Sequence, residues 1–223
     1  MTRRFSFGQQ IFEVAGDAGL FWPEQRALLV ADLHLEKASA YAASGQMLPP
    51  YDSLATLEAL TALATAHDAQ AIICLGDNFH DDDGEARLEG HVGEFLRHLT
   101  GRFNWTWITG NHDPHLAARW GGVKLAEIAI GGVKLRHEAK PSDPNPEISG
   151  HFHPKYRASM RQRMVSRRCF VQTARKIIMP AFGALTGGMD AGDVAIRNAC
   201  GLGAGELMTA LVPVNGGVTR FEV

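Results

Sequence analysis

Ala27-Leu28-Leu29-Val30-Ala31-Asp32-Leu33-His34 is an unbroken apolar run that ends in two side chains able to bind a metal. Five apolar residues in a row read as a strand buried on both faces. The design recurs downstream. Ala71-Ile72-Ile73-Cys74-Leu75 ends at Gly76-Asp77, and Trp105-Thr106-Trp107-Ile108 ends at Gly110-Asn111-His112-Asp113. Val133-Lys134-Leu135 leads to His137, and Glu147-Ile148-Ser149 leads to Gly150-His151-Phe152-His153. Helical patterns separate the early runs. Asp52 reads as the N-cap of a helix to about residue 67, with Leu54, Leu57, Leu60 and Leu63 near helical spacing. A second helix is expected over about 85–99. Residues 5–7 and 10–14 read as strands, and 16–19 as a turn. Residues 207–212 and 218–223 flank Asn215-Gly216-Gly217 as a hairpin. Strands alternating with helices, then strands mostly alone, predict an α/β fold with a mixed sheet or two sheets.

Composition narrows the class. The 223 residues are 45% hydrophobic and 21% charged, with a formal net charge of −2. That is enough chain for one domain spanning 1–223, with a sizeable core. Disorder is excluded by the apolar fraction. No run of eighteen apolar residues exists, so no membrane span is expected. The first residues lack the apolar region of a secretory signal. The three cysteines (Cys74, Cys169 and Cys200) are odd in number and widely spaced. Neither a disulfide framework nor a thiolate zinc site is expected, and a cytoplasmic location is the default.

Chemistry gathers where the strands end. In open α/β sheets, ligands bind at the C-terminal edge. Asp32, His34, Asp77, Asn111, His137, His151 and His153 all fall there. If the chain is extended, Asp32-x-His34 and His151-x-His153 each aim two donors at one point. Carboxylate, imidazole and amide oxygen suit Mn, Fe or Zn. Seven donors are too many for one tetrahedral ion, but serve two ions that share a carboxylate. Two ions ~3.5–4 Å apart can clamp the attacking and leaving oxygens of an in-line displacement. A water beside them loses its proton near neutral pH. Gly76, Gly110 and Gly150 each precede a donor at a bend, where a missing Cβ permits a tight turn. Taken singly, Asp-Leu-His or Gly-Asp is an ordinary strand end; it is the ordered set that carries meaning. His67, His91, His98 and His115 lie outside it and read as surface or core residues. Cys74 reads as an inert core thiol.

The five blocks resemble the calcineurin-like metallophosphoesterase superfamily, whose pattern is DxH, GD, GNH(D/E), H and GHxH. That resemblance implies a sandwich of two mixed β-sheets flanked by helices, with a dinuclear metal centre. It implies one ion on Asp32, His34 and His153, and a second on Asn111, His137 and His151. Asp77 would bridge them, and His112 would contact the phosphate and protonate the leaving oxygen. Manganese is the expected metal, with iron or zinc also compatible. The pattern departs from that of the protein phosphatases. Gly76-Asp77-Asn78-Phe79-His80-Asp81 lacks their arginine, so His80, Asp81 and Asp113 become the candidates to support the ligands from behind. Three stretches are similar to bacterial ligase-associated DNA damage response endonucleases. They are 29–37, 135–138, and Arg167-Arg168-Cys169-Phe170 followed by 179–188. This implies a DNA endonuclease acting in repair, with an ATP-dependent DNA ligase, a helicase and a second metal-dependent nuclease-like protein as partners. A homodimer is also expected.

Charge is segregated along the chain. Lys155, Arg157, Arg161, Arg163, Arg167, Arg168, Arg175 and Lys176 fall in one stretch with no acidic residue. A basic strip that starts beside a phosphoesterase centre fits a polyanionic chain. Lys155, Arg157, Arg167 and Arg168 are the candidate DNA contacts, with Tyr156 and Phe170 as stacking partners. An arginine-rich edge strand or a subunit interface would look the same in sequence. The 180–188 segment reads as a tight loop near the site. Two other readings stay open: a phosphodiesterase or phosphatase for small nucleotides, and a repair scaffold without activity.

Overall fold

The computed structural model describes residues 3–88, 90–160, 163–203 and 205–223. The first sheet runs in chain order: β1 (Arg4–Phe7), β2 (Gln10–Ala15), β3 (Gly19–Trp22), β4 (Ala27–Val30), β5 (Ala71–Leu75), β6 (Asn104–Ile108) and β7 (Val123–Leu125). Its first four strands are antiparallel, and β4 through β7 are parallel. The second sheet contains β8 (Glu127–Ile130), β9 (Val133–Arg136) and β10 (Glu147–Ser149). A separate hairpin, β11 (Lys155–Met160) and β12 (Arg163–Arg168), follows. The second sheet resumes with β13 (Phe170–Gln172), β14 (Lys176–Ile178), β15 (Thr209–Val214) and β16 (Gly217–Glu222). Its order is β16-β15-β13-β14-β10-β9-β8, with β10 parallel to both neighbours. The helices are α1 (Lys37–Ala43), α2 (Asp52–Ala66), α3 (Gly84–Arg87), α4 (Gly90–Arg102) and α5 (Val194–Ala199). The protein is thus an α/β sandwich of two mixed sheets with helices outside.

The apolar runs are unbroken because both faces of the first sheet are covered. Ala27, Leu29 and Ala31 point between the sheets, against Leu135, Ile148 and Ile177. Leu28 and Val30 point the other way, into a core with Leu57, Leu60 and Leu96 from α2 and α4. Burying each such side chain contributes about 1.5–3 kcal/mol. A third cluster packs α5 on the outer face of the second sheet through Ile196, Ala199, Val171 and Ile178. The cysteines are free and buried. Burial pushes the Cys169 and Cys200 thiols up to about 12. Among the described residues no helix is long and apolar enough to cross a membrane.

Three local expectations change. Residues 19–22 form a strand beyond the expected turn. Asp52 is not the N-cap of α2; Tyr51 holds that position. The Asp52 carboxylate instead accepts the Ala38 N–H at 3.1 Å, and so serves the first turn of α1. The helix expected over 85–99 is two helices. Leu88 is extended and buried, and Gly90 has φ 64°, which ends one helix before the next begins. Residue 89 lies outside the described residues. The break leaves the Glu85 carboxylate to accept N–H groups from Ala117 and Arg119, which ties α3 to the loop after β6. The Asn215-Gly216 turn is as expected, with both residues at positive φ.

A buried ion cluster braces the second sheet. The Glu147 carboxylate meets Arg136 at 3.0 Å and Lys176 at 3.1 Å, and accepts the Lys140 N–H at 2.8 Å. All three charged side chains are almost fully buried. Lys176 therefore leaves the basic strip in which its sequence position placed it. Arg136 immediately precedes His137, so the cluster fixes the strand end that delivers this histidine. Glu147→Ala leaves buried Lys176 with no carboxylate partner among the described residues and Arg136 with only Asp143 and Glu127, and is expected to lower stability by about 3–5 kcal/mol in denaturant titration.

Candidate metal centre

The backbone at the strand ends is not extended. Asp32, His34, Asp77, His151 and His153 all have positive φ, between 45° and 73°. The paired donors therefore converge through left-handed turns, not through strand alternation. Such conformations cost on the order of 1–3 kcal/mol each and persist only where surrounding contacts enforce them. Those contacts are visible. Asp32 N–H donates to Gly76 O at 3.2 Å, and His34 N–H to Asp77 O at 2.9 Å, so the loops after β4 and β5 run side by side. His151 N–H donates to the Asp32 carboxylate at 3.0 Å. His112 N–H donates to Asp77 Oδ1 at 2.9 Å.

Gly110 and Gly150 make this approach possible. A Cβ on Gly110 would lie 2.1 Å from Asp77 Oδ1, and one on Gly150 would lie 2.5 Å from Asp32 Oδ2. The glycines thus make room for the neighbouring donors, as well as for the bends.

The donors fall into two groups. Asp32, His34 and His153 form one, and Asp77, His137 and His151 form the other. His34 Nε2 and His153 Nε2 are 3.3 Å apart, and Asp32 Oδ1 lies 3.5 Å from His153 Nε2. In the second group the Asn111 amide oxygen sits 2.8 Å from His137 Nε2 and 2.9 Å from His151 Nδ1. Asp77 faces both: Oδ1 is 3.3 Å from His137 Nε2, and Oδ2 is 3.9 Å from His34 Nε2. Separations near 3 Å are those of adjacent donors around one cation with bonds of ~2.1 Å. The donor set therefore fits divalent cations, and Asp77 faces both groups.

Protonation states agree. Burial, then the neighbouring imidazoles of His153 and His112, hold His34 down at about 2, so it is neutral and free to ligate. Burial and His137 also lower His151. His137 Nδ1–H donates to Leu75 O at 3.1 Å, which leaves Nε2 as the donor atom toward a metal.

The supports divide. Asp113 is buried and accepts N–H groups from Gly110, Asn78 and Phe79, which knits the loops after β5 and β6 together behind the donors. Burial nevertheless raises its carboxyl to about 6. His80 faces inward, its ring 5.7 Å from that of His34 and 5.5 Å from that of His112. His34, His80 and His112 form a third group of convergent nitrogens. Asp81 does not reach the donors; Arg87 draws it away with bonds of 2.7 and 2.9 Å. His112 is exposed, and its Nδ1–H donates to His80 O at 2.7 Å. His115 pairs with Asp82 at the surface, and His67 packs on Phe21.

The basic hairpin begins two residues after His153. Lys155, Arg157 and Arg168 donate to the carbonyls of Thr186, Gly188 and Gly183. The 183–188 loop is thereby held against the site, where Gly183 N–H also donates to Asp32 O. Carbonyl contacts leave the positive charge in place, and Arg167 is exposed. Arg161 lies outside the described residues. Phe170 is fully buried and does not present a stacking face, and the Tyr156 ring, partly exposed, has one face stacked on Phe221 at 4.2 Å.

A two-sheet sandwich with paired Asp/His donor groups at its strand ends defines a metal-dependent phosphoester hydrolase. Residues 25–163 match the calcineurin-like phosphoesterase family, and the chain belongs to it. No curated protein gives a match. Among solved structures the chain is similar to nuclease MPE of Pseudomonas putida. The two are 27% identical with a TM-score of 0.76, over 99% of this chain and 100% of that one. YfcE, a phosphoesterase from E. coli, is 13% identical with a TM-score of 0.44, over 87% of this chain and 97% of that one.

Gly110→Ala drives a methyl group into Asp77, which faces both donor groups. Metal content measured by plasma mass spectrometry is expected to fall at both sites, with affinity lowered about 10–100-fold. Asp77→Ala is expected to have at least as large an effect.

Proposed function

We propose that this protein is a dinuclear-metal phosphodiesterase that cuts DNA internally. The observation that carries the reading is the complete pair of donor groups beside a basic hairpin. The likeness to a nuclease along the full chain supports the same substrate class. Asp32, His34 and His153 would hold one ion, Asn111, His137 and His151 the other, and Asp77 both. When bound, such ions activate water and spread the negative charge that develops at phosphorus. Manganese suits this donor set, as do iron and zinc.

The chain's own groups do the rest. His112 is tethered to Asp77 through its backbone, and its ring is oriented by the His80 carbonyl. With Nδ1 committed to that carbonyl, Nε2 is the atom that would give a proton to the departing sugar oxygen. Lys155, Arg157 and Arg168 share the hairpin face turned to the 183–188 loop and Arg167 lies on the other face, and together they give the hairpin a positive charge to which a polyanion can bind. The similarity of the 29–37, 135–138 and 179–188 stretches to ligase-associated endonucleases supports a place in cytoplasmic DNA repair. An ATP-dependent DNA ligase, a helicase and a second nuclease-like protein would be the partners.

Circular single-stranded DNA tests the reading, because a circle has no ends. With added Mn, the wild type is expected to linearise it, while Asp77→Ala and His112→Ala leave it closed. An intact circle, with hydrolysis of bis(4-nitrophenyl) phosphate retained, would remove DNA as the substrate. Arg167→Ala is expected to reduce the salt slope of DNA binding by about 0.7–0.9 per lost phosphate contact.

A further inference from the structure

α1 begins three residues after His34, so its first turn stands at the edge of the metal centre. Lys37 and Tyr41 lie four residues apart and share one face. The Lys37 ammonium is 5.7 Å from the Tyr41 ring centre. That ring is 5.5 Å from His80, which stacks on His112 at 5.5 Å and an interplanar angle of 29°. His112 in turn meets His34 edge-on at 5.1 Å. A row of aromatic rings thus leads from the candidate ligand His34, past the proton donor, to Tyr41.

A cavity of about 430 Å³ opens beside this row, lined by Ala40, Tyr41, Ser44, Gln46, His80 and Asp81. Its size falls within the range of small-molecule sites. Its walls are pinned together: Arg87 holds Asp81 from one side and donates to Ser39 of α1 at 3.1 Å on the other. Ser39 and Ser53 both donate to the Glu36 carboxylate, at 2.7 and 2.8 Å, which fixes the start of α1. Among the described residues no hydrogen bond or ion pair engages the Lys37 ammonium. Burial lowers its pKa, and only the Asp52 carboxylate opposes this. Among the described residues of the hairpin the one aromatic ring, Tyr156, has a face stacked on Phe221.

We infer that Lys37, Tyr41 and this cavity form a nucleotide subsite on the leaving-group side of the scissile phosphate. Tyr41 stacks the nucleobase, and Lys37 contacts the neighbouring phosphate. Gln46, Ser44 and Asp81 present hydrogen-bonding groups to the base edge. The subsite rests on the nucleic-acid reading above and gives it a polarity, because His112 protonates the oxygen that departs toward this side.

Steady-state kinetics with Mn on a short single-stranded oligonucleotide and on bis(4-nitrophenyl) phosphate test it. Tyr41→Ala is expected to raise KM for the oligonucleotide about tenfold, the scale of one lost base stack. kcat is expected to change little, and the effect on the small diester to be distinctly smaller. Tyr41→Phe keeps the ring and is expected to restore the oligonucleotide KM. Lys37→Ala is expected to lower the salt slope of oligonucleotide KM by about 0.7. An oligonucleotide KM unmoved by Tyr41→Ala, or equal losses on both substrates, would overturn the subsite while leaving DNA as the substrate. A wild type that hydrolyses the small diester and spares the oligonucleotide would overturn both.

Discussion

Close approach of loops at one sheet edge is the constraint on which the rest of this protein depends. Gly110 lets the loop after β6 press on Asp77, and Gly150 lets the loop after β10 press on Asp32. The loops are then locked by backbone N–H groups that donate directly to those two carboxylates. Each carboxylate is therefore both a candidate donor toward metal and an anchor for a distant part of the chain. The left-handed conformations at Asp32, His34, Asp77, His151 and His153 are tolerated because these contacts over-determine them.

Charge is handled in two ways within one sandwich. In the second sheet, Glu147 and Asp143 balance Arg136 and Lys176 in a largely dry environment, where losing one partner leaves a buried charge short of compensation. At the sheet edge, imidazoles and carboxylates crowd together without enough cations among them to balance the acids. Burial keeps His34 neutral, and the nearest donors stand about 3 Å apart. That combination is poorly explained by hydrogen bonding alone and is well matched to divalent ions.

The surroundings of the site are uneven in a way that bears on substrate. The hairpin supplies charge, and its one aromatic ring, Tyr156, stacks on Phe221. α1 supplies the Tyr41 ring and the Lys37 ammonium, and the loop after β5 adds polar groups. A chain that is both charged and aromatic can use both margins, whereas a small phosphate ester would use neither fully. The 183–188 loop joins the hairpin to the metal centre through Arg168 and Asp32, so the two are positioned by a single piece of backbone.

Much of this was legible in residue order. Apolar runs that end in Asp, Asn or His reveal buried strands and their functional edge, because strand burial and ligand chemistry are both local properties of composition. The candidate donors were named from the same order together with the family pattern, and the fold brings Asp32, His34 and His153 together, and Asp77, His137 and His151 together. Other features depended on contacts between distant segments. Asp52 reads as a helix cap, but the folded chain places its carboxylate at the start of α1. Lys176 reads as part of a surface strip, but pairing of β14 with β10 buries it beside Glu147. Asp81 reads as a support for the metal ligands, but Arg87 claims it. Phe170 reads as a stacking surface, but it fills the space between the sheets. Lys37 and Tyr41 carried only the weak signal of i, i+4 spacing after Asp32-x-His34, and the cavity beside them exists only once α1 and the loop after β5 are packed together. Sequence by itself determined which side chains could do chemistry and which strand ends would carry them. Tertiary structure decided which of them share a cation, a charge partner or a cavity, because those relations are distances between segments that residue order does not record.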